Sequence, residues 1–297
     1  MYQHKKGTDV RAEKMTKTAI DLFCGAGGLS AGLEMAGFRV LAGNDVFEAA
    51  GRTFAATHPD AKFFPGPIEN LSVEELMSAT GLEVGELTVL VGGPPCQAYS
   101  VYNHKRGMHD TRAVLFREYL RIVAGLQPEW IVMENVKGIY SIGGGEAVEA
   151  IKSELGALGY DVEEAVLKAE DYGVPQERRR VVFIGNRLGL PISHPEPTHG
   201  DGHATGLTTI RDAIGDLPEL GNGEDAGELP YATPPTSSFQ RQLRGNATHI
   251  TQHSAPRLGD VNLERLAHIP EGGSWRDIPF DLLPAGMQRA KRSDHTK

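Results

Sequence analysis

Short apolar runs alternate with longer mixed stretches from residue 18 to about 188 of the chain. The runs TAIDLF, RVLAGND, LTVLVGG, EWIVMEN and RVVFIGN each join β-branched or other apolar residues to a polar or glycine-containing end, the pattern of a buried strand. The stretches between them carry apolar positions at helical spacing. Leu29, Leu33 and Ala36 fall on one face, as do Leu115, Tyr119, Ile122 and Val123, and again Val148, Ile151, Leu155 and Leu158. Strand and helix in alternation predict an α/β fold, a largely parallel sheet with helices on both faces. Ligands of such sheets sit at the carboxyl ends of the strands, so the chemistry is expected there.

Beyond about residue 190 the texture changes to Pro, Gly, Thr and acidic residues. The expected organisation is a tail over 1–17, a core over 18–190, and a linker with an irregular second region over 191–297. Composition then limits what the chain can be. With 297 residues, 40% of them hydrophobic, it has enough apolar surface to fold without staples. Thirty basic against 39 acidic residues give a net charge of −9, the wrong overall sign for a generic nucleic-acid binder. The acids cluster, however: 196–228 holds eight acids and one base, whereas 241–297 holds nine Lys/Arg against six Asp/Glu. Two cysteines, Cys24 and Cys96, make no disulfide framework, and no Cys/His cluster has zinc spacing, so no metal is expected. No 18-residue apolar run occurs, which makes a cytoplasmic protein with no membrane partner the expectation.

Four blocks carry candidate chemistry. Asp21-Leu22-Phe23-Cys24-Gly25-Ala26-Gly27-Gly28 ends a strand and opens a helix, where glycines admit a ligand close to free backbone N–H groups. The same pattern serves a ligand-free tight turn, and it is neither a P-loop nor a full dinucleotide fingerprint. Asn44-Asp45 ends the second strand, where an acid can accept from ribose hydroxyls. Together they favour an adenosine-containing ligand without a pyrophosphate. Gly92-Gly93-Pro94-Pro95-Cys96 stops a strand abruptly and displays a thiol on a stiff loop. Such a thiol suits a nucleophile, whereas Cys24, between Phe and Gly, suits a small buried hydrophobe. Glu134-Asn135 ends another buried run, and Arg178 and Arg180 share a face on the approach to the strand beginning at Val181. A thiol, a carboxylate and two guanidiniums at strand ends point to one convergent site.

These blocks, in this order, resemble the C5-cytosine DNA methyltransferases. DLFCGAGG resembles the family's cofactor loop, GGPPCQAYS its proline–cysteine block, ENV its glutamate block and QERRR its Gln-x-Arg-x-Arg block; Asp110-Thr111-Arg112 through Leu115-Phe116 resembles the segment after the catalytic loop. The likeness covers roughly 18–188. It implies a Rossmann-like methyltransferase sheet and S-adenosyl-L-methionine as cofactor, with S-adenosyl-L-homocysteine as product. It also implies double-stranded DNA as substrate, with the target cytosine flipped out of the stack. The roles implied are Cys96 as nucleophile at cytosine C6, Glu134 at the N3/N4 edge, Arg180 at O2, and Arg178 holding the ring or the cysteine loop. The implied cofactor residues are Phe23, Gly25, Ala26, Gly27, Gly28, Leu29, Asn44, Asp45, Ile68, Gly93, Pro95 and Leu115. Gln97, Ser100, His104, Lys105, Arg106 and Arg112 are implied at the DNA, a basic cluster that reconciles DNA with a −9 chain.

Two departures from the family pattern stand out. Gly66-Pro67-Ile68 replaces the Gly-Asp-Ile whose acid recognises adenine, leaving Ile68 to pack on the ring. The Arg-Leu-Gln-Phe-Pro-like helix and Gly-Asn-x-Val turn that close the family's fold are missing, and Gly245-Asn246-Ala247-Thr248 is a coincidental likeness. The recognition region is therefore expected to be incomplete. The chain could be a truncated or split-enzyme subunit, inactive without a second polypeptide that supplies those blocks. A cognate restriction endonuclease is a further implied partner. An RNA cytosine-5 methyltransferase is the less favoured alternative, because the residues after Cys96 differ from that branch.

Overall fold

The computed structural model describes residues 17–95 and 113–288. Two compact units emerge, Met1–Leu207 and Thr208–Lys297. The change of texture at 190 precedes the boundary because the proline-rich strand exit hydrogen-bonds back onto the first unit. His194 Nε2 lies 3.0 Å from the Val182 carbonyl, and the amides of Thr198 and His199 both donate to Asp171 O.

The first unit is built on a seven-stranded sheet. Its strands are β1 (Thr18–Leu22), β2 (Arg39–Asp45), β3 (Lys62–Pro65), β4 (Val89–Gly92), β5 (Trp130–Val136), β6 (Asp161–Lys168) and β7 (Arg179–Asn186). They lie in the order β3-β2-β1-β4-β5-β7-β6. Five of these are the apolar runs read above; β3 and β6 are additions. Around them pack α1 (Gly28–Met35), α2 (Glu48–Thr57), α3 (Val73–Thr80), α4 (Ala113–Leu126) and α5 (Glu146–Ala157).

Both faces of the sheet are covered, and strand pleating sorts side chains between them. Ile20, Leu22, Leu90, Ile131 and Met133 join Tyr119, Ile122, Val123 and Leu126 of α4 and Val148, Ile151 and Leu155 of α5 in the larger core. Ala19, Val89 and Val91 point the other way, into a smaller core with Val40, Phe54 and Cys24. The faces expected on α4 and α5 are buried, apart from Leu115, which is half-buried, and Leu158, which caps α5 and is 38% exposed. The face expected on α1 is not. Leu29 stands 39% exposed, Ala36 is exposed, and the buried residue is Ser30, held by a hydrogen bond to Asp21.

Strands β1 to β5 pair in parallel, but β7 runs antiparallel to both β5 and β6. That reversal decides where the arginines lie. In a parallel strand, residues at its start would sit on the edge opposite the glycine loop that follows β1. Reversed, the start of β7 meets the carboxyl end of β5, with Arg180 opposite Val136 and Val182 opposite Glu134.

The second unit holds α6 (Ile210–Ile214), α7 (Ser238–Arg244), α8 (Asp260–Ala267), α9 (Ala285–Gln288) and a small antiparallel pair, β8 (Leu229–Pro230) with β9 (His249–Ile250). Its organising side chain is Arg244. The guanidinium lies 3.6 Å from the centroid of the Tyr231 ring, donates to Thr233 O and faces the buried carboxylate of Asp216 at 3.4 Å. Gly245 closes α7, and the element that follows the Gly-Asn pair is the short strand β9 rather than a helix. Among the described residues no helix is long and apolar enough to cross a membrane.

Candidate active site

The strand order reverses direction between β1 and β4, and in such sheets this is the point at the carboxyl edge where a ligand crevice is expected. The loop after β1 is strongly bent. Phe23, Gly25 and Gly27 all have positive φ, at 58°, 54° and 91°. For a bulky residue such as Phe23 this is a costly conformation, of the kind found where a binding loop is held by its surroundings. Hydrogen bonds to the end of β2 hold it. The Cys24 amide donates to Asn44 O, and the Gly25 amide donates to Asp45 Oδ2 at 2.9 Å. Asp45 Oδ1 accepts the Phe47 amide at 2.8 Å. Each carboxylate oxygen keeps a lone pair for a ligand.

Not every implied cofactor residue offers a free surface. Asn44 is buried, and its amide is used on the carbonyls of Phe64 and Gly66, tying the end of β2 to the exit of β3. Ile68 is buried in the larger core, on a short 3-10 turn whose carbonyl receives Arg121 of α4. These two residues shape the crevice wall from behind. Gly25 and Gly28 face open space, Ala26 is exposed, and Leu115 is half-buried against the core. Val46 and Phe47, 59% and 71% exposed, follow Asp45 directly. Sequence reasoning missed this bare apolar pair, although two large apolar residues after a strand-end acid were the available signal.

Beneath the loop lies Asp21, fully buried. Its Oδ2 accepts the Ser30 hydroxyl at 2.7 Å, while Oδ1 has no partner. Loss of solvation pushes its carboxyl from 3.8 up to about 7, against the lowering effect of the Ser30 contacts. Burial also pushes the Cys24 thiol up, which keeps that sulfur protonated and inert. Cys24 is thus the packed hydrophobe expected.

The loop after β4 approaches the first one closely, with the Gly93 amide 3.4 Å from Leu22 O. Glycine is required at 92, where a Cβ would stand 2.8 Å from that same carbonyl. Pro94 is fixed from β5. Asn135, buried at 6% exposure, donates from its side-chain amide to Pro94 O at 3.1 Å and accepts the Val136 amide on its other end. Glu134 precedes it. A Cβ on Gly93 would lie 3.5 Å from Glu134 Oε2, so the carboxylate borders the proline loop directly.

Across the β5–β7 ladder the two arginines converge on the same carboxylate. Arg180 Nε is 2.6 Å from Glu134 Oε1, and Arg178 reaches that oxygen at 3.7 Å. The first contact is a close ion pair without the alignment of a hydrogen bond; the Arg180 guanidinium also donates to Arg179 O. Glu134 Oε2 is left toward the loop. Cys96, Gln97, Ser100, His104, Lys105, Arg106 and Arg112 lie outside the described residues.

The family model of the C-5 cytosine-specific DNA methylase matches residues 17–266. The chain belongs to this family. Among its relatives, the Type II methyltransferase M.AgeI of Thalassovita gelatinovora is 36% identical over 288 residues, covering 90% of this chain and 67% of the relative. M1.HphI of Haemophilus parahaemolyticus is 34% identical, and the match takes in 65% of its length. M.AquIA of Picosynechococcus is also 34% identical, with 99% of its length covered and 80% of this chain. Among solved structures, a prophage-encoded E. coli protein described as a DNA modification methyltransferase superposes with a TM-score of 0.71 at 26% identity, over 86% of this chain and 76% of that one. The methylase thus has a Rossmann-like methyltransferase sheet, carrying an antiparallel strand that brings Arg178 and Arg180 to Glu134.

Proposed function

We propose that this methylase transfers a methyl group from S-adenosylmethionine to C5 of cytosine in double-stranded DNA, with Cys96 as nucleophile. The observation that carries the reading is the Glu134–Arg180–Arg178 cluster beside Gly93, at the mouth of the loop leading through Pro95 to Cys96. The crevice fits the cofactor. Bent glycines leave open space, Asp45 keeps acceptor capacity for ribose hydroxyls, and Phe23, Val46 and Phe47 offer apolar surface for a purine. The cofactor supplies the electrophilic methyl group.

The chain's own residues do the rest. Cytosine C5 is a poor nucleophile until a thiolate adds at C6, and Cys96 makes that bond while the ring's electrons move toward N3. Glu134 stands where it can hold the N3/N4 edge and share a proton there, offsetting the charge. Arg180 keeps the glutamate aimed and offers a guanidinium to O2, and Arg178 reinforces both. After methyl transfer, loss of the C5 proton expels Cys96 and restores the ring. The C6 atom is not reachable within a stacked duplex, so the base is flipped out, and Gln97, Ser100, His104, Lys105, Arg106 and Arg112 serve that DNA contact.

Duplex DNA with 5-fluorocytosine at the methylation site blocks the last step, because fluorine cannot leave as a proton. With S-adenosylmethionine present, a covalent protein–DNA adduct is expected from the native chain and none from Cys96→Ser. An adduct in the serine variant overturns the assignment. A second reading follows from the longer relatives, in which this chain matches 65–67% of the length. There, the adduct appears only when a polypeptide with the Arg-Leu-Gln-Phe-Pro-like and Gly-Asn-x-Val blocks is added. A cognate restriction endonuclease belongs to the same proposal.

A further inference from the structure

Behind the bent loop lies a side chain that the methyl-transfer chemistry does not use. His58 follows the last turn of α2, and its side chain is 1% exposed. One ring nitrogen, Nε2, is 3.1 Å from the carbonyl of Gly27; the other, Nδ1, is 2.9 Å from Glu34 Oε2 on α1. Both neighbours carry acceptor oxygens, so each contact is a hydrogen bond when the nitrogen facing it donates. The fit is also steric. A Cβ on Gly27 would lie 2.3 Å from His58 Nε2 and 3.0 Å from Phe54, one helical turn earlier. Phe54 in turn fills the space behind Gly43 of β2 and stacks 4.8 Å from the imidazole.

From this geometry we infer that His58 is a positioning residue for the cofactor loop. It fixes the Gly27 carbonyl, and with it the left-handed backbone at the start of α1, through an anchor on Glu34. The inference rests on the reading of this loop as the cofactor site. Without the ring, the Gly27 peptide loses its rear contact, and its buried carbonyl keeps only the Ala31 amide, at 2.8 Å, of its two hydrogen-bond partners. The loop then samples several conformations, and ordering it on binding costs affinity. Glu34 acts one step further out, because its exposed carboxylate orients the ring without touching the loop. The sequence signal is Phe-x-x-x-His across the end of α2, with an acid at 34.

The test is calorimetric titration of S-adenosylhomocysteine into the native chain, His58→Ala, His58→Gln and Glu34→Ala. His58→Ala is expected to weaken binding about tenfold, the worth of one buried hydrogen bond. His58→Gln, whose amide can still donate to Gly27 O, is expected to recover part of the loss. Glu34→Ala, a change at a half-exposed site, is expected to weaken binding by a smaller factor with little effect on melting. Gly27→Ala collides with the ring, so Gly27→Ala/His58→Ala is expected to bind no worse than Gly27→Ala alone. In turnover assays the KM for the cofactor rises while that for DNA does not. Unchanged binding in both His58→Ala and Glu34→Ala overturns the inference. No binding by the native chain overturns instead the assignment of the loop to the cofactor.

Discussion

Asp21 is a carboxyl group with one oxygen bonded to Ser30 and the other facing no partner in a dry interior. Its pKa in the folded chain is about 7 against 3.8 for the free group. Between those values the folded chain holds a proton that the unfolded chain releases, so this group's contribution to stability falls as pH rises from about 4 to 7. Asp21→Asn keeps an acceptor for Ser30 and cannot ionise. In thermal melts without cofactor, the variant is expected to gain on the native chain by several degrees between pH 4.5 and pH 8; parallel curves contradict the buried-acid account. Glu134 differs in having two guanidiniums within 4 Å of its carboxylate. Glu134→Gln keeps the shape and removes the charge. Adduct formation is expected to fall by about 10²-fold, while S-adenosylhomocysteine binding, measured by calorimetry, falls by a much smaller factor because the contacts that hold the glycine loop stay in place.

At the level of elements, one strand's direction makes the site possible. Because β7 is antiparallel, residues 134 and 180 become diagonal neighbours across a ladder, close enough for a charged pair. Asn135 then ties this ladder to the proline loop through Pro94 O. Asn135→Ala removes that donor from a buried carbonyl, and the rate of adduct formation is expected to drop about tenfold, measured with the 5-fluorocytosine duplex. The reading of the sequence reached some of these elements and not others, for physical reasons. β1, β2, β4, β5 and β7 are apolar runs buried on the sheet, and such runs announce themselves. β6 carries Glu163, Glu164 and Lys168 along an edge with one exposed side, and β3 is only Lys62–Pro65, so neither has enough apolar contrast. The antiparallel sense of β7 has no signature in periodicity at all. The helix α1 misled for another reason: Ser30 outcompetes Leu29 for the interior because Asp21 is there to receive its hydroxyl. The motif residues were legible as types, whereas His58 and Asn135 act through contacts that depend on the fold.

For the molecule as a whole, the division into two units gives Arg244 a local task. Its loss leaves Asp216, 3% exposed, as a buried charge with no cation beside it, and strips the face of Tyr231. Breaking a buried pair in this way costs about 3 kcal/mol or more. In hydrogen exchange, Arg244→Ala is expected to raise exchange across 209–254 by more than tenfold while the strands β1, β4 and β5 keep their protection. The acidic stretch at 196–228 and the basic density at 241–297 also divide the −9 charge unevenly. Net charge therefore misjudges this chain, because the sign that a phosphate meets is set segment by segment.

The reversed strand also sets an order of assembly. The glycine loop proposed for the cofactor is held by contacts among residues 21–68, pairs near in sequence that cost little loop entropy. The acid half waits for β7 to return across β5, a closure spanning α5 and β6. A ribosome releases the first set before the second exists. The nascent chain can thus hold its glycine loop in shape before Glu134 has met either arginine, so on the proposed function competence to bind arises earlier than competence to react.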